Sequence, residues 1–121
     1  MSIELNRIII PARSKWASAT FLASILDVPA GPRRELAVPV EVSNGVSLDY
    51  VDAERFDAHY CAFLAGEAEF DAVYARIRST GITYYGGPHH QQPGEIGHLR
   101  GGRSVYFDDP DGHNIEITTR P

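Results

Sequence analysis

The chain has 121 residues, 43% hydrophobic and 22% charged, with a net charge of −5, a balance that fits one globular domain with a core of its own. An acidic chain with no basic block gives nucleic-acid binding no electrostatic footing, and no apolar run approaches the roughly 20 residues that cross a bilayer. The opening MSIELNRIII is strand-like without a signal-peptide pattern, and the single Cys61 excludes an internal disulfide, so a cytoplasmic protein is expected.

In chain order, Leu5 to Ile10 predicts a strand that Pro11-Ala12-Arg13 ends. Ser14 then suits the N-cap of a helix over about 15–27. Ala19, Leu22, Ala23 and Leu26 recur at helical spacing and give that helix one apolar face. Val28-Pro29-Ala30-Gly31-Pro32 stops it. Leu36 to Val42 reads as a strand interrupted by Pro39, which suits a sheet edge or a bulge. Asn44-Gly45 is a hairpin turn, and Val46 to Val51 is the partner strand.

A second cycle follows. Ala58 to Ala65 predicts a strand and Glu67 to Arg78 a helix, with Phe70, Val73, Tyr74 and Ile77 on one face and Gly81 as C-cap. Glu67 and Glu69 in its first turn, and Arg76 and Arg78 in its last, match the helix dipole. Ile82 to Tyr85 is a short strand. The long loop from Gly86 to Gly102 carries Glu95, His98 and Arg100 within reach of a pocket mouth. The last hairpin joins Val105-Tyr106-Phe107 to Ile115–Thr119 through Asp108-Asp109-Pro110-Asp111-Gly112. Alternation puts Ile115 and Ile117 on one face and Asn114, Glu116 and Thr118 on the other. Asp108, Asp109 and Asp111 lack calcium-loop spacing and read as turn chemistry. His113, of opposite parity to Glu116, reads as structural.

The order is therefore β-α-β-β twice, with room for one more short strand in each cycle. Laid over each other, the copies match NGVSLDYV (44–51) to DGHNIEIT (111–118), so Asp49 corresponds to Glu116. Arg7 corresponds to His59, the loop accounting for the extra length. Strand parity is read as placing His59 with Cys61 and Phe63 on the pocket face, and Tyr60, Ala62 and Leu64 toward the helix. Two related copies would gather Arg7, Asp49, His59 and Glu116 in one concave polar site.

These features resemble the vicinal oxygen chelate superfamily, which groups glyoxalase I, bleomycin- and fosfomycin-resistance proteins and extradiol dioxygenases. The resemblance covers essentially the whole chain and is most specific in YFDDPDGHNIEI (106–117), with LNRIIIPA and AHYCAFLA as module openings. It implies an α+β fold of paired βαβββ modules, about 1–53 and 54–121, within a single domain. A half-open mixed sheet would surround a cleft, with the helices outside. It further implies a small-molecule ligand, a homodimer, and a divalent metal (zinc, nickel, manganese or iron) held by two histidines and a glutamate. His59 and Glu116 match two of those ligands and Asp49 an optional acid, but Arg7 stands where the first histidine belongs. A guanidinium has no lone pair to give.

Three readings of the cluster stay open: Arg7 replaces the metal and bridges Asp49 and Glu116; a metal binds with His98 recruited from the loop; or the four residues form a satisfied polar core. Separately, three functions stay open: a metal-free binding cleft with a degenerate metal site, a metal-dependent lyase, isomerase or dioxygenase, and a metal-free enzyme with Glu116 or His59 as general base. Arg7, Asp49, His98 and Tyr106 are the candidate substrate contacts.

Overall fold

The computed structural model describes residues 2–121, in two compact units divided after Asp57. The first contains β1 (Arg7–Ala12), α1 (Lys15–Leu26), β2 (Val38–Glu41) and β3 (Ser47–Asp52). Its sheet has the order β1-β3-β2, with β1 parallel and β2 antiparallel to β3. A parallel pair needs a long crossover, which α1 begins. Ser14 caps α1 as expected, its Oγ accepting the Ala17 N–H at 3.3 Å, while Asp52 Oδ1 takes the Lys15 N–H at 2.9 Å. The buried face is Ser18, Ala19, Leu22, Ala23 and Ile25, one turn of which the spacing rule had assigned to Leu26 instead of Ile25. β1 starts later than expected and runs through Pro11 rather than stopping there. It lies at the sheet edge, where a missing N–H costs no ladder bond. β2, with Pro39, is the other edge.

The second unit contains β4 (Tyr60–Leu64), α2 (Glu67–Thr80), β5 (Tyr84–Tyr85), β6 (Ser104–Asp108) and β7 (Asn114–Thr118). Its sheet order is β4-β7-β6-β5, again with the first and last strands parallel. Phe70, Val73 and Ile77 of α2 are buried, and the helix ends on Gly81 at φ +76. Arg103, just before β6, fastens α2: its guanidinium donates to Glu67 Oε1 at 2.7 Å and Asp71 Oδ1 at 2.8 Å and lies 4.5 Å from the centre of the Phe70 ring. The loop from Gly86 to Gly102 is not structureless. It folds back through bridges Tyr85–Pro93 and Gly97–Ser104, with a short 3-10 turn at Leu99–Gly101.

The two units repeat one plan, strand, helix, then strands, in agreement with an α+β fold of βαβββ modules. Registers make the equivalence residue-specific. Ile9 stands beside Asp49 in the first sheet and Ala62 beside Glu116 in the second. Counting back two residues along each strand, Arg7 is matched by Tyr60. The expected partner His59 lies one residue too early, before β4 begins, and a one-residue shift moves a side chain to the other face.

Core and cap differ in weight. Phe107, fully buried, should cost about 3–5 kcal/mol when replaced by Ala. Loss of the Ser14 cap in Ser14→Ala should cost about 1 kcal/mol. Urea unfolding of both variants, followed by circular dichroism, checks the order.

Candidate functional site

Glu116 sits in the middle strand region of the second sheet and is 1% exposed. An ionised carboxylate that deep needs donors on both oxygens. Tyr60 supplies one, its hydroxyl donating to Oε1. Arg100 supplies the other, its Nη2 donating to Oε2 at 2.7 Å. Tyr106, buried, stands directly across from it on β6. Three segments thus converge on one side chain: β4, β6 and the loop, where Arg100 adopts a left-handed backbone (φ 59, ψ 21).

Parallel neighbours in register share a face, so Tyr60, Ala62 and Leu64 lie on the Glu116 side of the sheet. With Arg100, Thr118, Arg120 and Pro121 they line an open cavity of about 410 Å³. This reverses the expected parity of β4. His59 is on the other side, packed edge-on against the buried His113 with ring centroids 5.1 Å apart, and its backbone N–H donates to His113 Nδ1 at 2.8 Å. His59 and Glu116 therefore do not form a ligand pair on one face. The sequence pattern misled because His59 is the obvious ligand type, while Tyr60 is the residue that the β4–β7 register aims at the acid.

The other candidates divide similarly. Tyr106 contacts Glu116, as expected of a site residue. His98 is exposed and precedes the 3-10 turn; Arg100, two residues on, is the loop side chain that reaches the acid. Arg7 is exposed on the face of Ser47 and Asp49, yet the arginines that pair with the acids are others. Asp49, 3% exposed, accepts from Ser47 Oγ at 2.5 Å and from Arg34 Nη2 at 3.2 Å. Each unit so holds its acid with an arginine from a preceding loop, Arg34 for Asp49 and Arg100 for Glu116. The sequence places Arg100 within reach of a pocket mouth, whereas Arg34 was missed; its repeat spacing to the acid was the available signal.

Electrostatics follow from burial. The Tyr60 hydroxyl is pushed well above the ordinary tyrosine value by burial, and further by its bond to Glu116. Burial and Glu116 also raise Tyr106. Both stay neutral donors rather than phenolates. Away from the cavity, burial and nearby Asp109 raise the Cys61 thiol, which favours the thiol over the thiolate. Asp109 spends Oδ1 on the N–H groups of Asp111 and His113, both at 2.9 Å, which bears out turn chemistry.

A dication does not fit this donor set. Both Glu116 oxygens are occupied by hydrogen-bond donors, one a guanidinium. The equivalent strand positions offer Arg7 and a protonated Tyr60. Among the described residues no three His, Cys, Asp or Glu side chains gather as a ligand set.

Residues 10–117 match the family model of the Glyoxalase/Bleomycin resistance protein/Dioxygenase superfamily, and the chain belongs to that superfamily. It is similar to the solved structure of Oxidase ChaP-H2, 49% identical with a TM-score of 0.97, over 100% of this chain and 96% of that one. Oxidase ChaP-H1 is 43% identical with a TM-score of 0.94, over 99% and 98%. The metallothiol transferase FosB of Shouchella clausii is 37% identical over 60 residues, which span 50% of this chain and 37% of that protein. No helix among the described residues is long and apolar enough to cross a membrane.

The raised Tyr60 value has a measurable sign. A hydroxyl that holds its proton more tightly when folded stabilises the fold fully below the unfolded value near 10.0, and that contribution is lost as pH rises through the folded value. Stability should therefore fall more steeply above pH 10 in the wild type than in Tyr60→Phe. Equilibrium unfolding at a series of alkaline pH values checks it; parallel curves would count against the Tyr60–Glu116 bond.

Proposed function

We propose that this protein is an oxidase acting on a small, planar, oxygen-bearing molecule seated over Glu116, with the superfamily's metal site degenerate. What carries the reading is the buried Glu116 carboxylate at the floor of a cavity, held by Tyr60 and Arg100 with Tyr106 directly across the sheet. Full-length similarity to a protein named an oxidase, at 49% identity, supports the reaction class.

The residues have distinct tasks. Ala62, Leu64 and the Tyr60 ring provide an apolar floor for a flat substrate. Glu116 accepts a proton from an acidic O–H of that substrate. Arg100 and the neutral Tyr60 hydroxyl then hydrogen-bond the oxyanion that forms. A deprotonated, electron-rich ring yields electrons to dioxygen more readily than its neutral form. Arg7 and Tyr60, where metal-binding relatives are expected to carry ligands, are why the step is assigned to Glu116 rather than to a dication. The FosB likeness keeps the metal-dependent alternative in view. A homodimer in the cytoplasm is part of the proposal: β1 and β4 are edge strands whose Ile8, Ile9, Tyr60 and Leu64 are exposed in this chain.

Dioxygen uptake with a panel of catechols and hydroxyquinones tests the proposal on protein purified without chelator. Glu116→Gln should lower kcat by about 10²-fold or more, the usual worth of a general base, and uptake should survive EDTA. Activity abolished by EDTA and restored by iron, manganese, nickel or zinc would establish the metal-dependent alternative instead. Unchanged turnover in Glu116→Gln would remove the acid from the chemistry.

A further inference from the structure

The cavity over Glu116 is lined by a second arginine that the proton-transfer step does not use. Arg120 follows β7 and lines the cavity beside Arg100 and Thr118. Its backbone is tied down on both sides of the peptide: the Arg120 N–H donates to Thr118 Oγ1 at 3.3 Å, and its carbonyl accepts from the same hydroxyl at 2.9 Å. Thr118 is buried and cannot easily release it.

The stem of Arg120 is seated by Gly102. A Cβ at position 102 would come within 2.5 Å of Arg120 Cγ and 2.6 Å of Thr119 Oγ1. The Gly102 backbone (φ −116, ψ −152) is extended, a conformation any residue adopts, so glycine stands here to leave room rather than to permit a turn. The loop that carries Arg100 to the acid thus ends by making space for Arg120.

The charges differ in how they are spent. Arg100 is committed to Glu116. The Arg120 guanidinium has no carboxylate partner among the described residues. Arg100 offsets Glu116, leaving Arg120 as the uncompensated charge of a cavity whose other walls are Ala62, Leu64, Pro121 and the Tyr60 ring. A guanidinium fork beside an apolar floor recognises a carboxylate or an equivalent oxyanion on a flat frame.

We propose that Arg120 is a specificity-determining residue that receives a second acidic group, so that the ligand is a planar, largely apolar molecule bearing two acidic oxygen groups. This rests on the Glu116 cavity being the substrate site.

The test is calorimetric titration, without turnover, of benzoate and of benzene-1,2-, 1,3- and 1,4-dicarboxylate, the three isomers covering the spacing between the two groups. In the wild type, one dicarboxylate should bind about tenfold or more tightly than benzoate, the worth of one charge-assisted hydrogen-bond pair. Arg120→Ala should erase that increment, so that no dicarboxylate binds more tightly than benzoate; Arg120→Lys should recover part of it; Gly102→Ala, by displacing the stem, should reduce it. Equal binding of all four probes to the wild type, or a dicarboxylate preference intact in Arg120→Ala, overturns the role of Arg120 while leaving the oxidase reading standing. No binding of any probe, benzoate included, overturns both.

Discussion

A carboxylate deep in a sheet is tolerated only if donors replace the water it has lost. Glu116 is that carboxylate; its donors come from β4 and the loop between β5 and β6, and Tyr106 of β6 stands directly across from it. Each donor belongs to a segment that could, on hydrophobic grounds alone, pair in another register. A slip of one residue in β4 would withdraw Tyr60 and offer His59 or Cys61; a slip in β6 would withdraw Tyr106. The acid therefore penalises wrong registers as well as furnishing chemistry, which is the role best attested for buried polar groups in specifying structure.

The first unit repeats the device with lighter parts. Asp49 replaces Glu116, Ser47 supplies the short hydroxyl bond, and Arg34 supplies the guanidinium. In both units the arginine precedes its acid by about one hairpin's length, 15 residues in one and 16 in the other, so the arrangement belongs to the repeat and not to either half alone. A superfamily known for gathering imidazoles and carboxylates here places guanidinium groups against its carboxylates. The consequence is a floor in which each buried acid is met by fixed hydrogen-bond donors.

Most of the fold was legible because its signals are local. Ser14 as a cap, Gly81 as a stop, Asn44-Gly45 as a hairpin and the spacing of Phe70, Val73 and Ile77 each follow from one stretch of chain. The doubling was legible too, from the acid on the last strand of each copy. The site was half legible. Glu116 was found from alternation within a strand, Asp49 from the overlay of the two copies, and Tyr106 was named only as a candidate contact. Tyr60 was missed because the face of β4 depends on where it meets β7, a pairing 54 residues apart in sequence at its first position, and His59 next door is the more conspicuous side chain. Arg34 and Arg100 lie in irregular segments, where no periodicity says which way a side chain points. Pro11 was read as a terminator because an edge strand cannot be told from a central one by its own residues.

The guanidinium over Glu116 is delivered by a loop whose ends, Gly86 and Gly102, are both buried and close-packed, while the acid is delivered by a strand. These two carriers answer to different constraints. A strand residue is held by its neighbours on either side, whereas the interior of an anchored loop can be rewritten without disturbing the sheet. The chain thus separates an acid fixed by its strand from a counter-charge carried on an exchangeable loop, so that the surroundings of the cavity can change through loop replacement alone.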